Sequence, residues 1–211
     1  MTQPGIPLSV ELATGWKALG RIRRHLGMKD TAGVLSTIML AMRRGEPFGD
    51  LDPPADRREA LSRKQLAPAV LLYRALRDRL EPERTLELTR EVAVTGARIF
   101  LRRMVGLLDR QRFEAMDAAE RETFAADIGQ RFFNAELRFD EISPQQLRFS
   151  ATACKFPALC RAAAAPEIAP LLCEGDELFF GTDLPDVELH RPCTIAQGAE
   201  ECPFTLRFTG D

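Results

Sequence analysis

The 211-residue chain carries 29 basic and 31 acidic side chains, a net charge of −2, and is 45% hydrophobic. That balance excludes a disordered polymer and a general electrostatic pull toward nucleic acid, and it supplies enough apolar side chain for a core. The 25 arginines are interspersed with acids, as on solvated helix faces rather than in a nucleic-acid-binding stripe.

The opening MTQPGIPLSVELATGWKALG lacks the charged, apolar and small-residue order of a secretory leader. No stretch approaches the roughly 20 apolar residues of a membrane span, so a cytoplasmic location with reduced thiols is expected. From Val10, the residues Leu12, Trp16, Leu19, Ile22 and Leu26 recur mostly at three- and four-residue steps, predicting a helix that Gly27 ends. Its apolar stripe opposes Lys17, Arg21, Arg23 and Arg24. The stripe is narrow, which suits docking onto the chain's own core or onto a partner in a homodimer better than a membrane surface.

Asp30 opens a second helix through Val34, Leu35, Ile38, Met39 and Met42. RRGEPFGDLDPPAD is the best linker, separating a helical extension (residues 1–60) from a domain spanning 61–211. Helix resumes from Arg57 to Leu80, with Pro68 as a kink or boundary. Pro82 then starts a long helix carrying Leu88, Val92, Ala93, Ala97, Phe100, Leu101, Met104 and Leu108, and another helix covers 118–133.

At residue 135 the period changes to two: Ala135, Leu137 and Phe139 alternate with Glu136, Arg138 and Asp140. After the turn SPQQ, Leu147, Phe149, Ala151 and Ala153 form the inward face of a second strand. Short helices follow at 157–164 and 167–180, then closing strands at 187–194 and 202–208. The expected fold is α+β: a helical N-terminal half packed with a C-terminal antiparallel sheet in the order β-β-α-α-β-β.

All five cysteines lie after residue 150, which points to a site in the last third. Cys154 stands where a strand yields to a helix, whose N-terminal N–H groups favour thiolate. Cys173 and Asp176, three residues apart, share a helix face with Phe180 and suit acid–base work or metal ligation. If Val187 and Leu189 face the core, Arg191 points inward or across the sheet end and needs an anionic partner, while His190 is a surface residue. His25 is remote in sequence, and there is no nucleophile-elbow serine, glycine-rich phosphate loop, HExxH or CxxC. The spacings Cys154-x5-Cys160 and Cys193-x8-Cys202 are loose for a metal site.

From about residue 65 the chain resembles the L-2-amino-thiazoline-4-carboxylic acid hydrolase family. The resemblance is diffuse in APAVLLYRALRDRLEPERTLELTREVAVTGARIF and sharper in FSATACKFPAL, APEIAPLLCEGDELF and VELHRPCTIAQGAEECPF. On the family pattern Cys154, Cys173, Asp176, Arg191, Gly198, Cys202 and Phe204 carry over. Cys193 stands where threonine is usual and Pro203 where an acid is usual. The closing Cys–Gly-turn–Cys-x-Phe run is also similar to 4-vinyl-reductase-type small-ligand domains.

The first resemblance implies hydrolysis of a small cyclic C–N substrate, with Cys154 or Cys173 as nucleophile, Asp176 as acid–base group, and Arg191 and Phe180 as substrate-binding residues. The second implies a ligand-binding or metal-bearing module, in which Cys154, Cys173 and Cys202, with Cys193 or Asp176, would ligate zinc or an iron–sulfur cluster.

Overall fold

Gly27 has φ 76°, a backbone conformation that side-chain-bearing residues rarely adopt, and it breaks the first long helical segment, α1 (Leu8–Arg43), where the sequence predicts an end. The computed structural model describes residues 8–106 and 108–209, and the side chains of residues 18–106 and 108–209. Trp16, Leu12 and Lys17 of the apolar and basic faces therefore lie outside the described side chains. Ile22 and Val34 of α1 are buried against Leu72, Ala75, Leu76, Leu88 and Val92, so the stripe docks on the chain's own core. Among the described residues no helix is long and apolar enough to cross a membrane.

Helix α2 (Arg57–Arg77) begins at Asp56, whose carboxylate accepts the Glu59 N–H at 2.6 Å. Pro68 neither ends nor divides α2, contrary to the boundary suggested by the sequence. It is exposed, so its missing N–H and its ring fall on the solvent side, where a helix yields most easily. Helix α3 (Pro82–Val105) starts on its proline as expected. A short helix the sequence does not signal, α4 (Arg110–Ala115), is capped by Asp109. In α5 (Ala118–Arg131), Asp117 and Glu120 form a reciprocal capping box.

Strands β1 (Ala135–Ile142) and β2 (Gln146–Cys154) are followed by α6 (Lys155–Ala162) and α7 (Ile168–Leu178). A π-helical turn (Phe179–Asp183) leads to β3 (Val187–His190), and β4 (Cys202–Phe208) completes an antiparallel sheet of order β1-β2-β4-β3. Helices cover one face, while Glu136, Arg138, Arg148, Glu188 and Arg207 leave the other polar and exposed. The α+β architecture is as expected.

Two strand expectations need correction. The third strand stops at His190 rather than Thr194: its last pair is His190↔Thr205, and Pro192 supplies no N–H to extend the ladder. Ala153 is exposed rather than inward. Glu136 pairs with Ala153 but Leu137 pairs with Ala151, so β2 carries one extra residue against β1. This bulge shifts the alternation by one. Cys154, opposite Ala135, returns to the inward face, and Ala153 is displaced from it.

Candidate functional site

A cavity of about 90 Å³ lies between the covered sheet face and helices α3, α5 and α7. The sheet contributes Leu137, Phe139, Phe149, Ala151 and Phe204, and Leu101, Ile128 and Phe180 close it from the helical side. Phe149 and Phe204 stack at 4.7 Å between ring centroids, with Phe180 edge-on to Phe204 at 6.1 Å. Into these apolar walls project Asn134, Cys154, Cys173, Asp176 and Cys202. The end of β2, one face of α7 and the start of β4 thus bring together three of the four thiols named from the sequence, with Asp176 and Phe180 beside them.

The other candidates lie elsewhere. Cys193 is not in the wall; its Sγ faces the Glu201 carbonyl at 3.9 Å. Cys160 is fully buried in a separate cluster with Leu66, Val70 and Ile168. His190 is exposed, and His25 lies 3.4 Å from Glu91 on α3. Among the described residues no three His, Cys, Asp or Glu side chains are placed to hold a metal ion.

Helix α7 reaches the cavity because Gly175 lets it press against α3. A Cβ built there would lie 2.3 Å from the Ala97 Cβ, inside any permitted contact. Arg90 of α3 pairs with Glu174, and Arg98 pairs with Asp183 just past α7, fixing the helix on both sides of Asp176. Gly175 carries no distinguishing signal in the sequence, where it reads only as a weak spot in a helix.

The Arg191 side chain is 6% exposed and faces inward, as its place after β3 suggests. Its Nη2 donates to the Cys173 carbonyl at 3.0 Å, Nη1 lies 3.4 Å from Asp176, and the guanidinium covers the Phe204 ring at 5.4 Å. It stands behind the wall rather than in it. Burial among apolar side chains pushes the Asp176 carboxyl up to about 7, with Arg191 pulling the other way. Burial also pushes the Cys154 thiol to about 11 and Cys173 to about 12, and raises Cys202, whose Sγ accepts the Ile195 N–H at 3.1 Å. The thiolate expected at the start of α6 is therefore opposed: desolvation outweighs the nearby Phe156 N–H.

Asn134 was not visible from the sequence, where it reads as a turn residue before a strand. The backbone around it is fixed. Arg58 of α2 donates to the carbonyls of Phe132 at 3.0 Å, Phe133 at 3.3 Å and Ala135, and Lys155 N–H donates to the Asn134 carbonyl at 2.8 Å. The side-chain Oδ1 is buried with no hydrogen-bond partner.

A family model described as L-2-amino-thiazoline-4-carboxylic acid hydrolase matches residues 60–206, a span that includes every residue of the cavity wall. The chain matches no curated protein and no solved structure.

Proposed function

Because the chain belongs to the L-2-amino-thiazoline-4-carboxylic acid hydrolase family, we propose that it hydrolyses a C–N bond of a small cyclic amidine, of the thiazoline carboxylate type, in the cavity beneath α7. The observation that carries this reading is Asp176: a carboxyl pushed to about 7 that lines a cavity together with Cys154 and Cys173. Near neutral pH it is present in both forms, so one group can take a proton from the attacking nucleophile and return it to the departing nitrogen.

Cys154 is the better placed nucleophile, since its thiol is raised less than that of Cys173 and the Phe156 N–H favours its anion. Its proton passes to the Asp176 carboxylate as sulfur bonds to the amidine carbon. The ring C–N bond then breaks, and the proton goes to the ring nitrogen. Water, deprotonated by Asp176, displaces the enzyme sulfur, which regains its proton and leaves an S-carbamoyl-cysteine-type product. Arg191 meets the substrate carboxylate outside the cavity through Nη2, exchanging its 3.4 Å contact with the exposed Glu177 for that group.

A second reading, in which Asp176 activates water directly, draws on the same raised thiols, which remain protonated at neutral pH. Turnover of L-2-amino-thiazoline-4-carboxylate by single variants separates the two. Covalent catalysis expects Cys154→Ala to lose about a hundredfold or more, as does Asp176→Asn. Full activity in both Cys154→Ala and Cys173→Ala removes the thiol step, and full activity in Asp176→Asn removes both readings.

A further inference from the structure

We infer that Asn134 is a specificity residue of this cavity: its side-chain oxygen accepts an N–H from an amidine or amine-bearing ring, so the cavity selects such a heterocycle over its alkyl isostere. The inference rests on the proposed use of the cavity as the substrate site, but not on the reaction assigned to it.

Three observations lead there. Asn134 lines the cavity, and its Oδ1 is buried without a partner, so a ligand bringing a donor satisfies an acceptor that the protein leaves open. The chain around it is locked, since the carbonyls of residues 132 to 135 are all engaged by Arg58 or Lys155. The backbone that carries the acceptor is therefore held before a ligand arrives, which limits the ordering cost of binding to the side chain's own rotation. Lastly, the described wall contains no lysine, arginine or histidine. An anionic group inside would meet Asp176 with no cation in the wall beside it, whereas a ring with N–H groups meets two acceptors, Asp176 and Asn134. A volume of about 90 Å³ restricts the enclosed part of the ligand to one small ring.

A matched pair of probes tests this: 2-amino-thiazoline and 2-methyl-thiazoline, titrated calorimetrically into the full chain. The unsubstituted protein should bind the amino probe at least about tenfold more tightly, the worth of one well-made hydrogen bond. Asn134→Leu should erase most of that preference by weakening the amino probe alone, and Asn134→Asp, which keeps an acceptor, should retain it. Equal affinity of the amino probe for the protein and for Asn134→Leu overturns the inference. So does the absence of any preference in the unsubstituted protein, a measurement that needs no variant to fold. Turnover of the thiazoline carboxylate is scored separately. An Asn134-dependent preference without hydrolysis defeats the hydrolase reading and upholds this one, and hydrolysis without the preference does the reverse.

Discussion

Two arginine–aspartate pairs flank the same helix and behave in opposite ways. Arg98 grips Asp183 through two guanidinium nitrogens, Nε at 2.9 Å from Oδ2 and Nη2 on Oδ1, and Arg102 adds a contact at 3.6 Å. The carboxyl of Asp183 is held below its ordinary range, chiefly by that hydrogen bonding. Arg191 offers Asp176 a single 3.4 Å approach, because its guanidinium also serves the Cys173 carbonyl and Glu177. There desolvation wins, and the carboxyl rises to about 7. An arginine near a carboxylate does not decide its charge; fork geometry and the competing claims on the guanidinium do. The first pair is a clamp, and the second leaves a group free to titrate.

The strongest way to break the contrast is to remove the titrating group. Asp176 releases its proton near 3.8 when unfolded but near 7 when folded, so its ionisation opposes folding. Stability should therefore be greatest at low pH with respect to this group and decline as pH rises from about 4 to about 7. Full desolvation would give a swing of about 4.5 kcal/mol at about 1.4 kcal/mol per unit, and the 31% exposure of the Asp176 side chain makes it smaller. Asp176→Asn should flatten that slope in urea melts across the range. An unchanged slope would mean that the carboxyl is not desolvated.

Next in size, Gly175→Ala should destabilise by about 1–3 kcal/mol, because its methyl needs space already taken by Ala97 of α3. Pairing it with Ala97→Gly should recover part of the loss, since the nearest clash is with that side chain. No recovery in the double variant would show that the two helices are not in contact there.

Smallest is the clamp itself. Asp183→Asn should cost about 1 kcal/mol, since Arg98 keeps access to water, and should leave the slope between about pH 4 and about pH 7 assigned to Asp176 in place. A slope that vanished with Asp183 would reassign the titration.

Periodicity carried most of the architecture. The turn at Gly27, the change of period at residue 135, and the shared face of Cys173, Asp176 and Phe180 are consequences of local chain geometry, and they reappear in the fold. What sequence reading missed is set between segments. Pro192 ended the third strand because a ladder needs a donor at each step, which alternation of apolar residues does not report. Gly175 matters only because α3 lies against it, and Asn134 only because its neighbours' carbonyls are spoken for by a helix some 75 residues earlier. The thiolate expected at Cys154 failed for the same reason: a helix end is local, and burial is not.

The bulge between Ala151 and Ala153 makes the identity of the cavity wall a matter of counting. With strict pairing, position 153 would face inward and 154 outward, presenting a methyl group where a sulfur now stands. Loss of the extra residue near Thr152 would leave the sulfur in place, because Ala153 and Cys154 would then follow Ala151 in strict alternation; straightening the bulge at constant length is what would turn it out. At this strand length the unpaired residue and the inward sulfur are one feature: Cys154 stays in the wall only while β2 holds Thr152 outside the pairing.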